Sequence, residues 1–143
     1  IEAALDPKLL NTLKGHKDQV TSIHFHPKGY LILLFRKQIV SGSNDSMVFV
    51  WNLNTSGSVY KYIGHKDAVT DVKFSPIGNQ IEAPQKIKLL NYGQIIHKKS
   101  ITIKAHNAPV RSVNYSYDGH LLLTGSDDKT LHVYKVESQK LLF

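Results

Sequence analysis

Residues 110–115 read Val-Arg-Ser-Val-Asn-Tyr, with Val110, Ser112 and Asn114 on one parity and Val113 and Tyr115 on the other. A period of two places alternate side chains on opposite faces of a strand, and a helical period does not fit it. The same pattern stands at 20–25 (VTSIHF) and 69–74 (VTDVKF), rich in the β-branched and aromatic residues that favour strands. Turn sequences follow, Ser-Pro-Ile-Gly at 75–78 and Ser-Tyr-Asp-Gly at 116–119. Beyond the turns lie two matching hairpins, VSGSNDSMVFVW at 40–51 and LTGSDDKTLHVY at 123–134. The pattern predicts an all-β chain. A strand near Leu9–Lys14 comes first, then three four-stranded units, the last ending in a strand near Gln139–Phe143.

The units are repeats. GHKDQVTSIHFHPKG at 15–29, GHKDAVTDVKFSPIG at 64–78 and AHNAPVRSVNYSYDG at 105–119 share a His, a Val four residues later, an alternating run, an aromatic and a closing Gly. The histidines are His16, His65 and His106. Their spacing is close to the period of about 40–45 residues typical of four-stranded propeller blades. In the first and third copies an acid, Asp45 or Asp128, precedes an aromatic, Trp51 or Tyr134, by six positions.

Two stretches break the pattern. Between Gly29 and Ser41 the first copy carries a surplus around YLILLFR with no obvious place in a blade. In the second copy, NQIEAPQKIKLLNYGQIIHKK at 79–99 contains no matching acid and no Trp, and Pro84 falls where a central strand should run. Proline removes a ladder donor. Residues 86–89 alternate weakly as a third strand. The expectation is an irregular segment over 79–92, with His65 contacting no carboxylate from it.

Composition narrows the chemistry. The chain has 143 residues, 41% hydrophobic and 20% charged, which suits one globular domain. Its longest apolar run, Leu31–Phe35, is far short of the ~20 residues of a membrane helix. No secretory leader is visible, and the first residue is Ile1, as in a piece of a longer protein. The absence of cysteine excludes disulfides, thiol catalysis and Cys-bound zinc. No P-loop, G-x-S-x-G or H-E-x-x-H occurs, so no enzyme is expected, nor any cofactor or small-molecule substrate. His24 and His26 share a strand face as two zinc ligands would, but no third ligand stands nearby, and no metal is expected. The net charge is +7, and Lys86, Lys88, Lys98, Lys99, Lys104 and Arg111 fall in a stretch without acids. They are not clustered, and no aromatic ladder or RNP-like motif accompanies them. A solvated surface is the simpler reading than a nucleic-acid interface.

The "GH … D … W" repeat, from about residue 9 onward, resembles the WD40 family. That resemblance implies blades of a β-propeller, here an open three-blade portion of a seven-bladed ring. It divides the chain into an extension at 1–8, a strand of the closing blade plus repeat one at 9–63 (insertion at about 30–38), repeat two at 64–104 (diverged at 79–98) and repeat three at 105–143. It also implies a structural hydrogen-bond network: His16, Ser41, Asp45 and Trp51 in the first copy, His106, Thr124, Asp128 and Tyr134 in the third. Asp127 stands outside the network and is expected to face solvent. Tyr134, in place of Trp, is expected to give a looser link.

The wording GHKDAVTDVKFSP, AHNAPVRSVNYSYDG, SDDKTLHVY and ESQKLLF is similar to the first three repeats of the centriolar WD40 proteins. This similarity implies a non-enzymatic scaffold for other proteins, centriolar or cytoskeletal. Its place would be the cytoplasm, at the centriole or basal body, in cilium formation. An adaptor of another complex, such as a ubiquitin-ligase substrate receptor or an RNA-processing propeller, and a truncated fragment without function are the alternatives. By family position, partner contacts fall on Gln19, Thr21 and Asn44, on Ala68 and Thr70, and on Arg111 and Asp127. Three blades without closure are expected to expose apolar faces and self-associate.

Overall fold

The computed structural model describes residues 9, 12–27, 38–53, 57–63, 65–76, 80–84, 89–94, 100–138 and 140–142. The insertion at 30–38, apart from Gln38, lies outside the described residues, as do Lys86, Lys88, Lys98 and Lys99 of the basic stretch.

Three four-stranded antiparallel sheets follow one another along the chain. The first comprises β1 (Val20–Phe25), β2 (Gln38–Ser43), β3 (Met47–Asn52) and β4 (Gly57–Ile63), the second β5 (Lys73–Phe74), β6 (Gln80–Pro84), β7 (Leu89–Gln94) and β8 (Ser100–Lys104), and the third β9 (Val110–Tyr115), β10 (Leu121–Ser126), β11 (Leu131–Lys135) and β12 (Lys140–Leu141). Each is a meander in which sequence neighbours pair, the arrangement of a propeller blade.

The core lies between blades. Val40, Val48 and Val50 of the first blade pack with Val69, Val72, Phe74 and Ile81 of the second, all buried. Each such valine contributes about 1.5–3 kcal/mol by leaving water. A second cluster joins Ala105, Val110, Val113, Leu122 and Tyr134.

In the strand that follows each of the first and third histidine loops strict alternation fails, and the reason is a bulge. Val110 and Val113 have opposite parity, yet both are buried. The register steps from Ser126↔Val110 to Gly125↔Ser112, so Arg111 is unpaired and the strand turns over there. The first blade repeats the device, with Val20↔Ser43 followed by Ser22↔Gly42 and Thr21 left out. A bulge re-aims the side chain it leaves unpaired.

One expectation is corrected. Where the divergent segment of the second copy is described, at 80–84 and 89–94, it is not irregular: β6 pairs residue for residue with β7 from Gln80↔Gln94 to Pro84↔Leu90. Pro84 is tolerated because it is the last residue of its strand, where a missing donor breaks no further ladder. The Glu82 side chain, the one carboxylate of 79–92, lies outside the described residues, and so does the test of a His65 contact with it. Of the strand foreseen at 9–14, residues 10 and 11 lie outside the described residues, and residues 12–14 belong to none of the three sheets.

Candidate functional site

In the first blade the foreseen network is complete. Trp51 Nε1–H donates to Ser41 Oγ at 2.7 Å. The Ser41 hydroxyl lies 2.7 Å from His16 Nε2, and His16 Nδ1 lies 3.0 Å from Asp45 Oδ2. With the His16 proton on Nδ1, each donor in this chain meets an acceptor. Asp45 also accepts the N–H groups of Lys17 at 2.8 Å and Met47 at 3.0 Å. The carboxylate thus ties the loop before β1 to the β2–β3 turn, where Ser46 takes a left-handed φ of 64°. His16 stacks on Phe49 with ring centroids 4.4 Å apart.

The third blade keeps half of this network and rebuilds the rest. His106 Nδ1 lies 3.0 Å from Asp128 Oδ2, and its Nε2 lies 2.7 Å from Thr124 Oγ1. Asp128 accepts the Asn107 N–H at 3.0 Å and the Thr130 N–H at 2.9 Å, with Lys129 at φ 67° completing the matching turn. Tyr134 departs from the expected role. Its hydroxyl donates to the Ala105 carbonyl at 3.0 Å rather than to Thr124, because a phenol carries its polar atom farther from the backbone than an indole does. His132, at the register position of Phe49, stacks on His106 at 4.0 Å. Its Nδ1 lies 2.7 Å from the same Ala105 carbonyl.

Both acids have pKa values below the ordinary carboxylate range. For Asp45 burial pushes the value up, but the hydrogen bonds from Lys17, His16 and Met47 outweigh it. For Asp128 the Thr130 hydroxyl lowers it most; burial opposes, and the Asn107 and Thr130 N–H groups and His106 add to the lowering. A carboxylate depressed in the folded state stabilises it above the unfolded pKa of about 4, and that contribution is lost as pH falls through the folded value. The thermal midpoint is therefore expected to fall steadily as pH is taken below about 4. Asp45→Asn should flatten that descent in circular-dichroism melts over a pH series. An unchanged slope would mean that the carboxylate is not held as the distances imply.

Five of the residues placed at the partner surface come together. Gln19, Thr21, Asn44, Thr70 and Arg111, with Val20, line one open cleft of about 350 Å³ to which all three blades contribute. The bulges aim Thr21 and Arg111. Thr21 Oγ1 donates to the Val69 carbonyl and Thr70 Oγ1 to the Val110 carbonyl, both at 2.6 Å, so each lashes its blade to the next. Arg111 breaks that series and turns to Asp127, with Nε 2.9 Å from Oδ1 and 2.8 Å from Oδ2. Both partners are about half exposed, as foreseen for Asp127. The guanidinium holds the Asp127 carboxyl below its ordinary range. Ala68 does not belong with them: it is buried and offers the cleft no side chain.

Sequence reasoning missed Asp71. This buried residue accepts the Ser22 hydroxyl at 2.6 Å, its neighbour's Val72 N–H at 2.8 Å and the Val113 N–H at 3.1 Å, joining all three blades. Its signal was an acid at a position that is Ser in the other two copies. His24 is likewise structural: Phe74 N–H donates to its Nδ1 at 3.2 Å, and burial lowers its pKa, with Lys73 adding and Asp71 opposing. His26 packs edge-on against Phe74 at 4.9 Å. Among the described residues no group of three potential ligands could hold a metal ion.

Comparison with known proteins agrees with the fold. The model of the family "WD domain, G-beta repeat" matches residues 7–52, 56–81 and 97–135. A POC1 centriolar protein homolog A from Danio rerio is 43% identical over 56 residues, covering 39% of this chain and 12% of its own length. A coronin-like protein from Saccharomyces cerevisiae is 26% identical over 161 residues, covering 99% of this chain and 23% of its own. Pre-mRNA-processing factor 19 from Oryza sativa subsp. japonica is 28% identical over 123 residues, covering 85% and 22%. The chain thus spans less than a quarter of the length of these relatives. With three His-bearing repeats, three four-stranded sheets and a family model matched over most of its residues, the chain belongs to the WD40 family.

Proposed function

We propose that the chain is part of a non-enzymatic WD40 scaffold that holds another protein at the cleft shared by its three blades. The observation that carries this reading is the convergence of Gln19, Thr21, Asn44, Thr70 and Arg111 on one opening. Propeller loops on a rigid frame suit a binding surface, since a loop can vary while the hydrogen-bonded blade holds its place. Arg111 is the expected anchor. It is exposed, it is oriented by Asp127, and arginine is enriched among residues that dominate binding energy.

The setting we favour is the centriole or basal body. The 43% identity to a centriolar protein homolog over 56 residues supports it, as does the wording of repeats two and three. The second reading is an adaptor of another complex. Its support is breadth, because the coronin-like protein and pre-mRNA-processing factor 19 align with 99% and 85% of the chain at lower identity. Imaging the tagged full-length parent protein separates the two. Puncta at centrioles or basal bodies are expected, and a nuclear or diffuse signal would overturn the centriolar setting.

Arg111→Glu tests the cleft itself. It places two like charges at 111 and 127 on an exposed rim, where the fold has little at stake. Partner capture by the full-length protein is expected to weaken about tenfold or more, with the melting midpoint unchanged. Undiminished capture would remove the cleft as the docking surface.

A further inference from the structure

Along β1, three hydrogen bonds in a row close the seam between the first two blades. Thr21 Oγ1 donates to the Val69 carbonyl at 2.6 Å. The Val72 N–H donates to Ser22 Oγ at 3.3 Å, and the Phe74 N–H to His24 Nδ1 at 3.2 Å. The alternation of β1 sends Ser22 and His24 to one face, and the N–H groups they meet belong to Val72 and Phe74, which alternate in the same way. The third blade serves the equivalent amide differently: the Tyr115 N–H donates to Asn114 Oδ1 at 3.0 Å, within its own strand. His24, Lys73 and Asn114 hold one repeat position, so that position carries an imidazole in the first blade and an amide in the third.

An imidazole accepts only at a nitrogen that carries no proton. The Phe74 N–H can only donate, so it requires a neutral His24 with its proton on Nε2. A second proton goes to Nδ1, which turns the acceptor into a donor and sets two N–H groups against each other. The surroundings decide when this happens. His24 is half-buried, with its ring centroid 6.2 Å from that of Phe74. Across the seam β5 supplies Lys73, whose ammonium repels an imidazolium, and Asp71, just before β5, attracts one. Asp71 is itself 3.2 Å from Lys73 Nζ, so part of its charge is already answered. β6 sets Glu82 opposite Lys73 in register. β2 adds no charge: Val40 stands opposite His24, and Gln38–Ser43 contains no titratable residue. On β1 itself His26 packs edge-on against the same Phe74 ring. Burial lowers the His24 pKa most, Lys73 adds to the lowering, and Asp71 opposes them only in part. A histidine lowered in this way supports the fold fully above the ordinary value of about 6.5, and its contribution is lost as pH falls through the folded value.

We propose that His24 is a pH-sensitive clasp on this seam, closed while its ring is neutral and released in mildly acidic solution when Nδ1 takes a proton. The row keeps its other members, because threonine and serine hydroxyls do not titrate near neutrality. The same seam sets Gln19, Thr21 and Asn44 of the first blade against Thr70 of the second, so release loosens the frame of the cleft without altering its lining.

Eight histidines make global stability a poor readout, so the test is local. In amide hydrogen exchange on this chain, corrected for the intrinsic rate, Phe74 protection is expected to fall about tenfold between about pH 7.5 and about pH 5, while the Val40 and Val50 amides hold theirs. His24→Asn keeps an acceptor, as Asn114 does for Tyr115, and cannot take a proton. Phe74 protection should then stay level over the same range. A second measurement needs no variant. Nitrogen NMR of the histidine rings should show His24 with its proton on Nε2 at about pH 7.5. Its Nδ1 should take a proton with a midpoint below about 6.5, in step with the loss of Phe74 protection. A level Phe74 profile in the parent chain, a loss shared equally by Val40 and Val50, or the same loss in His24→Asn would overturn the proposal. So would a neutral ring with its proton on Nδ1, or a ring that titrates at or above the ordinary value.

Discussion

Gly42→Val is expected to unfold the chain or bring it close to unfolding. The position lies inside β2, and its added Cβ would come within 2.6 Å and 2.8 Å of the Val69 and Val72 methyl groups. Both valines are fully buried, so neither can swing into solvent to make room. The blades must then separate or a strand must shift. Overpacking of a well-filled core typically costs about 1–3 kcal/mol, and approaches this close fall at or beyond the upper end. A domain of this size is stable by only about 5–15 kcal/mol, so the loss is a large fraction of the total. Urea denaturation followed by tryptophan fluorescence reads it directly, since Trp51 is the one tryptophan and belongs to the same blade. A midpoint equal to that of the parent chain would mean that the first and second blades do not pack face to face.

The motif-bearing parts of this fold could be read from the chain because they are local and repeated. His16, Ser41, Asp45 and Trp51 stand at fixed offsets from a Gly-His loop and a Gly-Ser turn, and a hydrogen-bond chain of that kind tolerates little variation. Parity failed where backbone geometry intervened. A bulge costs no change of residue type, so nothing in Val-Arg-Ser-Val announced that Val110 and Val113 would face the same core. The second blade was hidden for another reason: the ladder from Gln80↔Gln94 to Pro84↔Leu90 is made by backbone groups, which a divergent sequence can still supply. Tyr134 and His132 act together, and the pattern of repeats did not point to His132. Once His132 holds the place of Phe49, the Ala105 carbonyl becomes the acceptor for both, and the link through Thr124 is no longer needed. The cleft residues were found by family position, yet their order came from the bulges, which sequence pattern does not encode.

Asp71→Ala is the second substitution expected to be severe, and its cause is polar rather than steric. In the sequence Asp71 looks like an outward polar residue between Thr70 and Val72. In the fold it is buried where the blades converge. One carboxylate oxygen takes the Ser22 hydroxyl at 2.6 Å and lies 3.2 Å from Lys73 Nζ; the other takes the Val113 N–H at 3.1 Å. Truncation leaves the Val113 N–H and the Ser22 hydroxyl without that acceptor and breaks the pairing with Lys73. Stranding a buried donor costs about 1–3 kcal/mol, more where the lost partner was charged, so a total of at least about 2 kcal/mol is expected. Asp71→Asn should fall between, because its carbonyl can serve one donor while its amide faces the other. Hydrogen exchange adds a local readout: the Val113 amide should lose protection in Asp71→Ala out of proportion to the fall in global stability. A double-mutant cycle with Ser22→Ala is expected to give a coupling of about 1 kcal/mol, since the two side chains touch. If Asp71→Ala stays within about 0.5 kcal/mol of the parent chain, the carboxylate does not join the blades.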